Sequence, residues 1–452
     1  MTFQKLLQRE KENRPLRVAV VGAGMMGAGV INQMFRMPGV RVCIIADRVI
    51  DKARQAFEAN GIQPRDIQVL NGADAVQDAL RKDRSVITED GELPARVDVD
   101  AVVEATGSPD AGARIAYASI LGKKHTIMLN VEADVMVGPI LASTARSAGV
   151  VYTLASGDQP GSICELYDWA RTLGLEVVAA GRGTQLGPSA RYVTPDAFLE
   201  TANRLGGNAQ MLCSFHDGTK SQVEMAAVSN ALGLVPDKRG MHEPFACVED
   251  LPAVFRLREM GGVLSRKGVI ELANSFRPDG VEVKQGMVNP GVFLVVTSDH
   301  PGIQSLLKHL FRRIEKAGPH YGLFRPYHLT AVETPYSVVR ACLYGEATGT
   351  AGDRLVTEVI AVAKKNLKAG EMLDGGGGYT VYGLVERAEI ARNEGLLPLG
   401  FAHGIPVLQD IPRDTPLRHE DVRADTRSFL YRLRQLQDTI QSKPEKKENK
   451  KT

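Results

Sequence analysis

The sequence predicts an α/β chain: a doubly wound parallel-sheet domain first, an α+β domain next, and a small β-rich domain near the C-terminus. Three observations carry this. The apolar run Leu16 to Val21 passes into a glycine-rich turn and then into the helical run Val30 to Phe35. Apolar strands and helical stretches keep alternating through the first 160 residues and beyond, the pattern of parallel strands joined by crossover helices. Two later segments, Glu358 to Gly375 and Pro406 to Val422, share one shape: an apolar strand, a charged turn and a short mixed end. The predicted boundaries are 1–160, 161–350 and 351–425, followed by a helix and a lysine-rich tail at 426–452.

The first turn reads Gly22-x-Gly24-x-x-Gly27 between a strand and a helix, the context in which this spacing binds a dinucleotide. Gly22 permits the tight turn, Gly24 the approach of a pyrophosphate, and Gly27 close packing of helix on strand. The N–H groups of the helix start, at Met25 and Met26, then face the phosphates. The second strand, Val40 to Asp47, ends in an acid about 20 residues past the last glycine, where a carboxylate takes the ribose hydroxyls. Arg48 beside it suits a 2′-phosphate or an adenine face, so the pair fits NAD and NADP alike. These features make the domain Rossmann-type. The run Val99 to Pro109 breaks at Ala105-Thr106-Gly107, at the carboxyl end of a parallel strand. Gly122 to Asp134 and Val150 to Gly161 supply two more strands, ending at Asn130-Val131-Glu132 and Gly157-Asp158. Polar residues thus gather at one sheet edge, where Asn130 is expected to meet the nicotinamide carboxamide or the substrate.

At 452 residues, 44% hydrophobic and 24% charged, the chain has the make-up of a multidomain globular protein. Its 55 basic and 53 acidic residues leave a net charge of +2, which gives no broad basic field for nucleic acid. Five scattered cysteines, without a CxxC pair or Cys/His cluster, argue against a zinc site or disulfide framework and for a reducing cytoplasm. The charged start MTFQKLLQREKENRP is unlike a signal peptide, and no run of 18 apolar residues is there to span a membrane. The tail SKPEKKENKKT reads as solvated and disordered. The expected partners are a small-molecule substrate and further copies of the chain, in a dimer or larger oligomer, with neither nucleic acid nor membrane.

Longer strings carry a family resemblance. GAGMMG, VVEATG, GKKHTIMLN and the strand to GDQPG resemble the homoserine-dehydrogenase-type nucleotide-binding domain. MLNVEADVMVGP, SGDQPGSICELYDWA, DGTKSQVEMAAVSNALGLVPD, GGVLSRKGV, NPGVFLVV and FRPYHLTAVETP extend the likeness. From Leu16 to near Asp421 the chain resembles the 1-deoxy-D-xylulose 5-phosphate reductoisomerase-like (DRL) proteins, which join that core to a C-terminal SAF domain. The resemblance implies an NAD(P)H-dependent oxidoreductase of a small anionic polyhydroxylated carbonyl compound. It points to reductoisomerisation of 1-deoxy-D-xylulose 5-phosphate to 2-C-methyl-D-erythritol 4-phosphate, a step of isoprenoid precursor synthesis. The two repeated C-terminal segments then resemble the halves of a SAF fold. Other readings are dehydrogenation of a sugar acid or hydroxy acid without rearrangement, and a dinucleotide-sensing regulatory protein.

Three departures from relatives matter. Homoserine dehydrogenases place a lysine after their asparagine, whereas Asn130 is followed by Val131 and Glu132. They also carry an Asp and a Lys four apart on a helix, where alignment on Gly218 puts Lys220 and Glu224 in the opposite charge order, which argues against homoserine as substrate. In AAGRGT, Arg182 stands where related proteins tend to have lysine; arginine keeps the charge and gains a bidentate fork but is no proton donor.

Hydride transfer to a carbonyl needs a cofactor held face-on, an acid for the developing alkoxide, and clamped charge. In SFHDGTKSQVEMAAVSNALGL, read as one helix from Lys220 onward, Lys220 and Glu224 share a helical face. Lys220 is the predicted acid or oxyanion stabiliser, its pKa lowered toward neutrality by burial and tuned by Glu224; a plain ion pair is the alternative. Glu132 is read as a substrate or metal ligand or a base, against a helix-dipole contact. FRPYHL, taken as a strand, puts Arg325 and Tyr327 on one face and His328 on the other. Arg325 would clamp an anion and His328 would shuttle a proton. His242, in a loop, is a further candidate. Arg182, Lys220, Lys267 and Arg325 are the cations available to an anionic substrate, with Asp158 as another substrate ligand. A divalent metal on Asp158, Glu132 and Glu224 would accompany isomerisation, although no metal motif is visible. Leu175–Gly181, Gln210–Phe215 and Gly291–Asp299 read as strands. DGGGGYT, Asp374 to Thr380, reads as a flexible loop or a backbone-lined anion contact, and Asp425–Ile440 as an amphipathic helix able to pack on a partner subunit.

Overall fold

The computed structural model describes residues 1–205, 207–310 and 318–441; the lysine-rich tail lies outside them. Short β-branched runs form seven strands: β1 (Leu16–Val21), β2 (Val40–Ala46), β3 (Ile67–Val69), β4 (Ser85–Thr88), β5 (Ala101–Glu104), β6 (His125–Met128) and β7 (Tyr152–Leu154). They build one sheet in the order β3-β4-β2-β1-β5-β6-β7, parallel at every pairing. Val18 and Val20 of β1 enter one apolar cluster with Ile31 and Phe57, while Ala19 and Val21 enter another with Val76 and Ile115. Both sheet faces are therefore buried, which is why these strands read as continuous apolar runs rather than as alternation. The strand order reverses around β1, so a crevice opens at its carboxyl end.

A second, mixed sheet holds β8 (Glu176–Thr184), β9 (Val235–Pro236), β10 (Val269–Asn274), β11 (Val292–Thr297) and β12 (Tyr321–Arg325), in the order β12-β11-β8-β10-β9. Two expectations are corrected here. Gln210–Phe215 lies in the helix Ala209–His216, which Asn208 starts by accepting from Gln210 N (2.8 Å) and Met211 N (3.4 Å). So short an apolar run has no periodicity to separate strand from helix. FRPYHL ceases to be a strand at Arg325, because Pro326 has no N–H for the ladder. The chain then returns to the first domain: helix Thr330–Tyr344 packs on helix Met25–Met34, where a Cβ on Gly29 would come within 2.7 Å of the Ala331 Cβ.

The C-terminal module pairs β13 (Thr357–Ala363) with β15 (Val381–Arg387), and β14 (Met372–Asp374) with β16 (His403–Pro406). Beyond Pro406 the second of the two similar segments makes isolated bridges such as Leu367–Ile411 and Val362–Pro416 rather than the expected strand. Pro412 and Pro416 withhold ladder donors there. The module fits along helix Thr219–Leu232. Gly383 N donates to Thr219 Oγ1 (3.0 Å) and Val385 N to Gln222 Oε1 (2.8 Å), while Asn230 Oδ1 accepts from Val356 N (2.8 Å) and Thr357 N (3.0 Å). Lys364, 3% exposed, ties the corner: Nζ donates to Asp217 Oδ2 (2.7 Å), Val193 O (2.9 Å) and Gly378 O (2.8 Å). The tetraglycine loop is an inlay rather than a flexible span. Asp374 Oδ2 accepts from Tyr379 N (2.7 Å), and a Cβ on Gly377 (φ +71°) would come within 2.3 Å of Gln210 O.

The last helix, Phe429–Gln441, packs on helix Val131–Ala148 of its own chain. Pro139 interrupts that helix, and Gln437 spans the gap: Oε1 accepts from Ile140 N (3.1 Å) and Nε2 donates to Met136 O (3.2 Å). Among the described residues no helix is long and apolar enough to cross a membrane.

Candidate active site

The glycine turn is built for close approach. Gly22 has φ +99°, and a Cβ on Gly27 would fall 1.9 Å from Gly22 O. Around Gly24, by contrast, nothing lies within 4 Å. Helix Met25–Met34 starts there with no side-chain cap, so its first N–H groups face an exposed surface with Met25 and Met26. Asp47 braces the turn: Oδ2 accepts from Ala23 N (2.7 Å) and Oδ1 from Val49 N (2.8 Å). Arg48 is exposed beside it, and Thr106 and Gly107 are exposed on the neighbouring strand tip, past half-buried Ala105. An open, uncapped helix start above a turn closed to side chains fits a dinucleotide. Gly27→Ala is expected to weaken NADH binding by tenfold or more, about 1.4 kcal/mol, in a fluorescence titration; unchanged affinity would separate the turn from cofactor binding.

Lys220 and Glu132 meet at the starts of two helices. Gly218 (φ +81°) turns the chain, and Asp217 Oδ1 accepts from Thr219 N (2.8 Å) to begin the Lys220 helix. Asn130 caps the Glu132 helix: Oδ1 accepts from Ala133 N (3.1 Å) while Nδ2 donates to Ser108 O (2.9 Å). Both ends of the Asn130 amide thus make hydrogen bonds within the protein. Lys220 Nζ donates to Glu132 Oε1 at 2.6 Å, and both residues line a cavity of about 830 Å³ that reaches Gly107 and Asp110. Burial alone would depress the Lys220 pKa, but Glu132, Glu224 and Asp158 outweigh it and push it above the usual lysine range. The expected lowering does not occur, and the ammonium remains charged.

Glu224 faces away from this cavity, in a buried ion pair with Arg182. Helical spacing aligned Lys220 with Glu224, but neighbours from other elements take each one. Gln159, with its amide oriented to satisfy its neighbours, donates to Asp158 Oδ1 (3.1 Å) and accepts from Arg182 Nη1 (3.1 Å). His328 sits in the loop after β12 with Nε2 2.8 Å from the same Gln159 oxygen. Burial and Arg182 hold His328 below the usual histidine range. Asp158, 8% exposed, is pushed up to about 7 by burial and then by Glu224, against the pull of Lys220.

The other expected anion binders are engaged. Arg325 pairs with Glu165 (3.3 Å) and with Glu333. Lys267 pairs with Glu176 (2.7 Å) at the amino end of β8, whereas Arg182 lies toward its carboxyl end. His242 lies outside the cavity lining, with Nδ1 2.5 Å from Glu271 Oε1. Asp158, Glu132 and Glu224 do not converge as a metal site, since Glu132 holds Lys220 and Glu224 holds Arg182. Among the described residues no group of three His, Cys, Asp or Glu side chains is placed to bind a metal.

Sequence reasoning passed over Gln159 and Glu104. Glu104 is fully buried at the tip of β5; Oε1 accepts from Thr106 N (2.9 Å), Oε2 has no partner, and burial pushes the group up to about 7. Its signal was an acid inside the apolar run AVVEATG. Raised carboxyls make stability fall with pH. Below the unfolded-chain carboxyl pKa of about 4, both states keep the proton. From there to about 7, the unfolded chain releases protons that folded Asp158 and Glu104 retain. The native state therefore loses stability across that window and levels off above it. Asp158→Asn is expected to flatten the slope by up to about 1.4 kcal/mol per pH unit in urea unfolding; an unaltered slope would overturn the assignment.

Residues 157–334 match the family described as oxidoreductase DRL, catalytic domain. No curated protein matches the chain. Among solved structures, 1-deoxy-D-xylulose 5-phosphate reductoisomerase from Zymomonas mobilis in complex with NADPH is 18% identical over 46% of this chain and 57% of that one, with a TM-score of 0.33. A probable dehydrogenase from Thermotoga maritima is 15% identical over 75% of this chain and 92% of its own, with a TM-score of 0.39. A myo-inositol dehydrogenase from Corynebacterium glutamicum is 14% identical, with 63% and 73% covered and a TM-score of 0.36. The chain thus spans little more than half of the reductoisomerase, at 57%. The family match spans residues 157–334, which hold Lys220, Arg182 and Arg325.

Proposed function

We propose that the chain is an NAD(P)(H)-dependent oxidoreductase of small polyhydroxylated, anionic carbonyl compounds or the matching alcohols. The observation that carries this is the Lys220–Glu132 pair, hydrogen-bonded at 2.6 Å on the wall of a cavity that reaches the β5 tip at Gly107. A bound nicotinamide supplies hydride exchange. Lys220, held charged chiefly by Glu132 and Glu224, stabilises a carbonyl oxygen as it gains negative charge. Glu132 fixes the ammonium in place and takes or returns a hydroxyl proton of the substrate. Residues from three parts of the chain line the space around that oxygen.

The DRL relationship supports a more specific reaction, reductoisomerisation of 1-deoxy-D-xylulose 5-phosphate. One observation favours simple dehydrogenation of a sugar acid instead: Arg182, Lys267 and Arg325 are all held in ion pairs, so none is free to cradle a phosphate dianion. Incubating the full chain with phosphosugars, aldonates and hydroxy acids, each with both nicotinamide cofactors, decides between them when products are identified by NMR. A rearranged skeleton selects the first reading and an unrearranged one the second. NADH binding without turnover of any compound would sink the enzyme reading and leave a dinucleotide sensor.

A further inference from the structure

We propose that the C-terminal module reads the substrate: Arg427 and His403 bind the anionic, hydroxylated end of a polyhydroxylated monocarboxylate whose reacting carbon lies at Lys220. This rests on the oxidoreductase reading above. Lys220 and Glu132 share the cavity of about 830 Å³ with His403, Leu399 and Arg427 from the C-terminal part of the chain. Several other polar liners are already engaged by the protein. The Asp374 carboxylate accepts from Tyr379 N (2.7 Å) and Thr380 N (3.1 Å). The Gln210 amide donates to Asp374 O (2.7 Å) and Gly376 O (3.1 Å). Asp110 accepts from Leu430 N (2.8 Å) and Arg114 Nη2 (3.2 Å), and Ser214 Oγ donates to Met211 O (2.7 Å).

His403 and Arg427 keep unused capacity. His403 Nδ1 lies 3.1 Å from the Asp374 carbonyl oxygen, so Nδ1 carries the hydrogen and Nε2 is left to accept one. Arg427 has only a loose pairing, Nε 3.7 Å from Asp425 Oδ1, on a side chain 89% exposed. Such a contact binds the guanidinium weakly and leaves its planar donors for a carboxylate. Of the cations expected to hold an anion, Arg182, Lys267 and Arg325 are all ion-paired outside this lining. Asp110, Glu132, Asp374 and Asp425 also line the space and disfavour a second negative charge, so a monoanion with hydroxyls suits it better than a phosphate dianion.

The test uses the full chain with D-erythronate and D-gluconate, the neutral alditols erythritol and sorbitol, and 1-deoxy-D-xylulose 5-phosphate. Turnover is followed beside saturation-transfer NMR for binding. Arg427→Gln is expected to raise KM for the aldonates about tenfold or more, equal to about 1.4 kcal/mol, with kcat held within about twofold, as lost ground-state binding requires. Arg427→Lys recovers part of the loss, and the alditols do not respond to either change. His403→Leu raises KM for both compound classes, and NADH affinity is unmoved in every variant. Unchanged KM in the Arg427 and His403 variants, in a protein that Lys220→Met inactivates, overturns this inference alone. Equal losses for aldonates and alditols in Arg427→Gln, or binding of the phosphate ester only, also overturn it. Turnover surviving in Lys220→Met, or no compound bound by the unaltered chain, overturns the oxidoreductase reading and the inference with it.

Discussion

Lys220→Met is expected to lower kcat by about 10²–10⁴-fold with NADH affinity unchanged. Methionine keeps the length and apolar stem of the side chain and removes only the ammonium. The side chain is 10% exposed and its nearest partner is Glu132 at 2.6 Å, so the lost charge is one that faced the cavity rather than bulk water. Because Glu132 and Glu224 push the Lys220 pKa above the usual lysine range, the ammonium is expected to stay charged and the deficit to persist through neutral pH. Glu132→Gln keeps an acceptor for Nζ and removes the carboxylate, and it is expected to reduce kcat less than the lysine change. Single-turnover measurements on any compound that the unaltered chain converts provide the check. A Lys220→Met protein within about tenfold of the parent rate would fall short of the contribution expected of a positioned acid or charge, and the proposed chemistry would fail.

Lys364→Met is expected to destabilise the chain by about 3–5 kcal/mol. The pair it forms with Asp217 is among the most enclosed in the molecule, with the two side chains 2% and 0% exposed. Taking away the ammonium strands a carboxylate that burial already pushes up and that Lys364 holds down. It also leaves the carbonyls of Val193 and Gly378 without their donor. Asp217→Asn on top of the first change keeps an oxygen for Thr219 N while removing the stranded charge, and is expected to recover part of the loss. Urea unfolding of the three proteins is the measurement. A loss below about 1 kcal/mol, the range of exposed pairs, would show that the joint does not hold the module to the Lys220 helix.

Local signals were legible in the sequence. The glycine turn, the apolar strands and the polar residues past their ends rest on backbone sterics and short-range periodicity, and they fall where those rules place them. Gln210–Phe215 was ambiguous because a short apolar run obeys either period, and the decision came from the Asn208 cap. The Lys220–Glu224 spacing was read correctly as one helical face. Which carboxylate each cation meets is set by distant segments, and no spacing rule carries that. The same holds for Arg182, Arg325 and Lys267, whose charges suggested ligands and whose partners are Glu224, Glu165 with Glu333, and Glu176. The cavity draws on segments hundreds of residues apart, from Gly107 to Tyr431, so its lining had no local signature.

Gln437 bridges Ile140 N and Met136 O, the rung next to the one Pro139 removes from helix Val131–Ala148. The helix Phe429–Gln441 is thereby spliced into the same rod that presents Glu132 at its amino-terminal tip, one turn from Met136. Pulling the final helix away, by cleavage or by a bulky fusion, would leave a bare donor and acceptor in an apolar setting and let the rod flex at its weak point. Damage at the tail would then be felt at the carboxylate that steadies Lys220.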